Sequence, residues 1–175
     1  DLWMISPVKK KIAGMNIVPA SIAAGSNNTD IETEVVYVGR GTEADFSDID
    51  VEGKIVLGNA SVSRLFNQAV IQRNAAGVLG TGSAGVTGNY PGYSLDAVGW
   101  QSIRGSNGKG FGFVLSKRIF EELRDYCEAG SKVYVKAHVK SKNYPYKMNV
   151  ISAEIPGSDP DAGELILVAH AFERI

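Results

Sequence analysis

The sequence predicts an α/β or mainly β fold with two helices. Three features point to it: β-branched runs closed by glycine, two units in which a strand leads into a helix, and a strictly alternating stretch late in the chain. The 175 residues lie within the roughly 100–200 that one domain usually takes, so one main core is expected.

The elements follow in chain order. Residues 34–39 and 54–58 hold Val35-Val36-Tyr37-Val38-Gly39 and Lys54-Ile55-Val56-Leu57-Gly58, short runs typical of buried strands. Over 63–76 the apolar positions Leu65, Phe66, Ala69, Val70 and Ala76 recur at helical spacing, opposite Asn67, Gln68, Gln72 and Arg73. Gly77 is expected to close that helix, and Val78-Leu79 to resume as strand. Eleven of the twenty glycines then fall between Gly77 and Gly112, with turn signals at Tyr90-Pro91-Gly92 and Ser106-Asn107-Gly108, so a long irregular connection is expected. The second unit begins with a strand at 111–115. Ser116 is placed as N-cap of a helix over about 117–128, whose apolar face carries Ile119, Phe120, Leu123, Tyr126 and Cys127, and Gly130 stands where a terminal glycine belongs. Over 132–140, Val133, Val135, Ala137 and Val139 alternate with Lys132, Tyr134, Lys136, His138 and Lys140, a half-buried strand that leaves His138 in solvent. A strand at 148–155, a turn at 156–163 and the apolar run 165–169 complete the chain. That run needs cover on both faces.

Composition narrows the function. Eighteen basic residues stand against nineteen acidic ones, a formal charge of -1 that gives no overall field for nucleic acid or an anionic membrane. Hydrophobic residues at 44% and charged residues at 21% exclude a disordered chain. No apolar run is long enough to span a bilayer. The opening Asp1-Leu2-Trp3-Met4 lacks the features of a signal peptide, and an excised or processed piece is expected. The single Cys127 falls on an apolar stripe and is read as core packing rather than a reactive thiol.

Few constellations could carry chemistry. Gly80-Thr81-Gly82-Ser83-Ala84-Gly85 spells a dinucleotide loop, but Val86-Thr87-Gly88-Asn89-Tyr90-Pro91-Gly92 cannot form the helix that holds a pyrophosphate, so a glycine-rich loop is the better reading. A serine triad would have to use His138 or His170, and no G-x-S-x-G elbow is present. His170 follows directly on the apolar run, at the carboxyl end of an expected strand. It is a candidate metal ligand or a packed, capping histidine, and alone it cannot complete a zinc site.

Val35-Val36-Tyr37-Val38-Gly39, Val51-Glu52-Gly53-Lys54-Ile55-Val56-Leu57-Gly58 and Asn74-Ala75-Ala76-Gly77-Val78-Leu79-Gly80 resemble the protease-associated (PA) domain. Phe111-Gly112-Phe113-Val114-Leu115-Ser116 looks like that domain's last core strand entering its second helix, so the resemblance covers about residues 33–141. The flank is similar to the first two strands of the catalytic domain in family-28 co-catalytic zinc peptidases, a group of aminopeptidases and glutamate carboxypeptidases. It is carried by Asn149-Val150-Ile151-Ser152-Ala153-Glu154-Ile155-Pro156-Gly157 and Glu164-Leu165-Ile166-Leu167-Val168-Ala169-His170.

The resemblance implies a PA-domain-like β-sandwich or open barrel plus a C-terminal β-hairpin from the peptidase sheet. It divides the chain into an N-terminal flank at 1–32, a PA domain at 33–142 and the first strands of a peptidase domain at 143–175. It implies that His170 binds zinc in the full-length parent, where two zinc ions activate a bridging water. Phe172 stands where that family carries an orienting aspartate, with Glu173 one residue further, so the site is degenerate or another group orients the histidine. This segment is then not itself an enzyme and holds no cofactor. Its role would be to cover the active-site cleft or mediate substrate or protein contacts in a secreted, periplasmic or envelope zinc peptidase. The expected partners are the remainder of the peptidase domain and a peptide or protein substrate, with no nucleic acid and no membrane span. The alternative is a free-standing protein-binding or sorting module. Tyr90, Tyr93 and Trp100 mark the expected contact surface, unless they pin the loop to its own domain. The hairpin at 143–175 should stay exposed, or pair with an N-terminal strand around 3–8 or with a second copy.

Overall fold

The computed structural model describes residues 1–81, 94–142, 144, 145, 147, 149–159, 161 and 163–169. The chain divides into two compact units, Asp1–Lys142 and Asn143–Ile175.

In the first unit, β1 (Leu2–Ser6), β2 (Lys10–Ala13), β3 (Thr29–Tyr37), β4 (Ile55–Gly58), β5 (Gly77–Gly80), β6 (Gly112–Val114) and β7 (Val133–Val139) form one seven-stranded sheet in the order β2-β1-β7-β3-β4-β5-β6. The half from β3 to β6 is parallel and the half from β2 to β3 is antiparallel. The sheet curls into an open half-barrel, a mainly β architecture with two helices.

Burial explains the two halves. In the parallel half successive side chains enter opposite cores: Ile55, Leu57, Leu79 and Phe113 face one, and Val56, Val78 and Val114 face the other. Both faces are covered, as parallel sheets require, and this is why those strands read as unbroken apolar runs. In the antiparallel half only one face is dry. Val133, Val135, Ala137 and Val139 point inward from β7, beside Leu2 and Met4 of β1. Tyr134, Lys136 and His138 point out and stand opposite Glu34, Glu32 and Asp30 of β3. His138 lies half-exposed, its Nδ1 3.3 Å from the Asp30 carboxylate.

One helix serves each core. α1 (Val62–Phe66) runs on as a π-helical stretch, Asn67–Ile71, and buries Val62, Leu65, Phe66, Ala69 and Val70 on one face of the sheet. Its close seat depends on Gly112, where a Cβ would collide with the Val62 side chain. α2 (Lys117–Glu128) buries Phe120 and Leu123 in the other core, where Phe120 meets Tyr37 edge-on at 6.2 Å.

The caps of α2 follow the sequence. The Ser116 hydroxyl accepts from the Ile119 N–H at 3.4 Å. At the far end Gly130 (φ 76°) donates to the Cys127 carbonyl at 3.0 Å, and Ser131 to that of Tyr126 at 2.9 Å. These are the paired bonds of a left-handed glycine cap. Ser116→Ala is expected to cost about 1 kcal/mol, the usual loss for an N-cap hydroxyl, read as a lowered denaturation midpoint with unchanged slope.

Three expectations are corrected. The first helix does not reach 76. Helical turns end at residue 73, Asn74 takes the left-handed conformation (φ 55°), and the Ala75 N–H turns back to the Ala69 carbonyl at 3.0 Å. Gly77 is therefore no helix terminator. It opens β5 at a point where a Cβ would lie 2.6 Å from the Phe111 ring. β3 begins at Thr29 rather than 34, because its first residues alternate between partly buried and exposed and carry no apolar run. Within the N-terminal flank, β1 and β2 belong to the sheet, and Leu2 and Met4 are 0% exposed. Finally, β1 has β2 on one side and β7 on the other, so neither edge is open to the expected hairpin.

In the second unit no strand forms among the described residues. Val150, Ile151, Ile155 and the run Leu165 to Val168 stand exposed, Leu165 at 87% and Val168 at 90%. A run that is apolar on both faces has no stable strand without layers to cover it.

Candidate functional site

Parallel strands place ligands at their carboxyl edge. Here that edge is formed where β4, β5 and β6 end, and it carries Asn59, Ser61 and Thr81. The stretch 94–103 supplies Leu95, Trp100 and Gln101 to the same unit.

Most polar groups along this edge are engaged in holding the chain. Thr81 Oγ1 donates to Asn59 Oδ1 at 3.2 Å. Gln101 Oε1 accepts the first N–H of α1, from Val62, at 2.7 Å, and the Ser61 hydroxyl accepts from Arg64 N at 3.3 Å. Together they satisfy N–H groups that a helix start leaves without partners. The Gln101 carbonyl accepts from Ala24 N at 2.9 Å, and Ile103 N donates to the Ala24 carbonyl at 2.7 Å. A further tie is the Arg118 fork on Asp96, with bonds of 2.8 and 3.1 Å, beside Arg118 N donating to the Leu95 carbonyl. The guanidinium holds the Asp96 carboxyl below the usual carboxylate range.

The result is a fixed scaffold presenting an aromatic group. Trp100 is 47% exposed within a stretch tied by bonds on either side, and Leu95 is exposed as well. Of the residues expected to make the contact surface, Trp100 is placed in this way. Tyr90 and Tyr93 lie outside the described residues, as do His170, Phe172, Glu173 and positions 82–85 of the glycine motif.

A cavity of about 230 Å³ lies between the two outer strands of the curled sheet, lined by Ile12 and Ala13 of β2, Val114 of β6, and Ile17, Val18 and Val98. Ser21 also lines it, and its buried hydroxyl has no partner among the described residues. Asp96, Leu115 and Ser116 complete its described lining, which is apolar apart from Asp96 and the two serines. Among the described residues no group of three or more His, Cys, Asp or Glu side chains stands close enough to hold a metal ion. Those residues therefore do not assemble a zinc site by themselves.

Cys127 packs partly buried against the core beneath α2. Burial first, then the charges of Glu34 and Glu128, push its thiol up to about 11. The thiolate is the reactive form, so at about pH 8 the native chain should react with iodoacetamide on the order of 100-fold more slowly than the unfolded chain, whose thiol titrates near 8.5. Equal rates in the two states would contradict this placement.

Sequence reasoning singled out the aromatics and missed Gln101 and the Asp96–Arg118 pair. Neither leaves a local signal, because each contact joins residues 22 or more positions apart.

No family model matches the chain, and no curated protein matches it. Solved structures do. The chain is similar to an aminopeptidase from Aneurinibacillus sp. strain AM-1, at 24% identity and a TM-score of 0.54, over 78% of this chain and 29% of that one. It is similar to a zinc aminopeptidase from Bacillus subtilis at 18% identity and a TM-score of 0.54, over 79% of this chain and 30% of that one. A family M28 peptidase precursor from Shewanella amazonensis shares 13% identity with a TM-score of 0.50, over 78% and 33%. The fold is thus one found within aminopeptidases, and the chain spans about three-tenths of their length. Among the described residues no helix is long and apolar enough to cross a membrane.

Proposed function

We propose that the chain is a non-catalytic PA domain of a zinc-dependent aminopeptidase-like protein, joined to the first strands of the peptidase domain at 143–175. In this reading the module covers the active-site cleft or holds a peptide or protein substrate, and it works outside the cytoplasm, in the secreted, periplasmic or envelope space. The observation that carries it is the fold likeness, which takes in more than three-quarters of this chain and less than a third of the aminopeptidase. A shared part of that size fits an accessory module better than a complete enzyme.

Trp100, with Tyr90 and Tyr93 from the same connection, is the proposed contact surface. Of these, Trp100 is exposed within a tied stretch, and such an aromatic gives contact area at small cost in conformational entropy. His170 is the proposed zinc ligand of the assembled peptidase. It would act there with ligands from other segments, as catalytic zinc takes about three protein ligands. When bound, zinc would supply an activated water. The contribution of residues 1–142 is shape and contact.

A second reading, a free-standing protein-binding or sorting module, draws on the division of the chain at Lys142. A unit that closes its own core needs no peptidase domain in order to fold. The reading frame beyond Ile175 separates the two. Continuation with clustered Asp, Glu and His supports the peptidase reading, and an immediate stop codon overturns it in favour of the free module.

A further inference from the structure

We propose that Asn107 is a site of spontaneous covalent modification, losing its side-chain amide to become aspartate and isoaspartate. It lies in the Ser106-Asn107-Gly108-Lys109 turn, where Lys109 N donates to the Ser106 carbonyl at 2.8 Å. Both central residues have positive φ, 49° at Asn107 and 79° at Gly108. This is the mirror-image turn that Asn-Gly favours.

The chemistry needs a backbone nitrogen free to attack the side chain before it. The Gly108 nitrogen gives up its proton to solvent base and bonds to Cγ of Asn107. The Cγ–Nδ2 bond breaks, and ammonia leaves with the proton it gains. Water then opens the cyclic imide at one carbonyl or the other, giving aspartate or an isoaspartate whose main chain is longer by one carbon. No oxidant or cofactor enters.

Three observations single out this position. Asn107 and Gly108 are exposed, and a side chain at Gly108 would meet nothing within 4 Å, so the ring has room to close. Among the described residues nothing accepts the Gly108 N–H. Gly108 also lacks the Cβ that would hinder attack. Other asparagines differ. Asn74 shares the positive φ, but the N–H of Ala75 is held by the Ala69 carbonyl at 3.0 Å. After Asn16, the N–H of Ile17 is held by Gly14 at 2.9 Å. Asn27 has its own amide engaged, donating to the Lys109 carbonyl at 2.7 Å.

That last bond gives the modification a structural consequence. Asn27 ties the turn to the edge of the sheet through the carbonyls of Lys109 and Gly110, two residues before β6 begins. A longer main chain and a new negative charge at 107 are expected to loosen this tie.

The test is incubation of the whole chain at mildly alkaline pH, followed by mass spectrometry of the tryptic peptide 105–109. Conversion at Asn107 is expected at least about tenfold faster than at any other asparagine, a barrier difference of about 1.4 kcal/mol, with aspartate and isoaspartate eluting apart. Asn107→Ser should abolish the ammonia released in that phase. The proposal is overturned if Asn107 stays intact in the folded chain while converting in urea, or if another asparagine reacts as fast.

Discussion

Phe111→Ala is expected to cost the first unit about 3–5 kcal/mol, the range for removing a buried aromatic ring. The ring is fully buried, touches Phe113 edge-on at 6.0 Å and closes over Gly77. Against a domain stability of about 5–15 kcal/mol, the loss should be plain in any denaturation curve. Its origin can be isolated with Gly77→Ala. A methyl at 77 would lie 2.6–2.8 Å from three atoms of the Phe111 ring, so in the native background it should destabilise by about 1–3 kcal/mol. With Phe111 already reduced to alanine that methyl enters the space left behind, and its cost should vanish or reverse. The cycle should therefore show coupling of at least about 1 kcal/mol. Additive effects would mean that Gly77 is required for some other reason.

The second large effect concerns residues 1–32. A chain beginning at residue 33 lacks β1, β2 and the first residues of β3, and is expected not to fold. It loses Leu2, Met4 and Ile12 from the core and leaves one side of β7 without a neighbour. Burial of each large apolar side chain contributes about 1.5–3 kcal/mol, so three together approach the whole stability of a domain. Met4→Ala gives a graded check, with an expected loss of about 2–5 kcal/mol. Cooperative unfolding of the truncated chain at the same midpoint as the parent would show that the N-terminal strands are an appendage.

How far the fold could be read from sequence depended on how locally each element declares itself. β4 and β5 are buried on both faces, so every residue from Ile55 to Gly58 and from Gly77 to Gly80 had to be apolar or glycine. β7 has one wet face and spelled its alternation in full. α2 carried both of its caps in the chain itself. A strand near the N-terminus was expected around 3–8 and β1 spans Leu2–Ser6, while β2 was obscure because it starts in a run of lysines. The first part of β3 was obscure for a related reason: Asp30 and Glu32 face water on a strand whose inward residues are only partly buried. The end of the first helix was misplaced because Asn74, not a glycine, takes the left-handed position. At the candidate site the aromatics were legible as residue types. The support for Trp100 was not, since Gln101 with Val62 and Asp96 with Arg118 are brought together only by the folded sheet.

On the proposed reading, this chain is an accessory to chemistry completed elsewhere. Zinc content and aminopeptidase turnover of the purified 175-residue chain, prepared without chelator, test it most directly. The expected result is no stoichiometric zinc and no cleavage of an aminoacyl substrate, because one candidate histidine cannot supply the three ligands and the base that such a site needs. One tightly held zinc per chain, lost in His170→Ala together with measurable turnover, would contradict it.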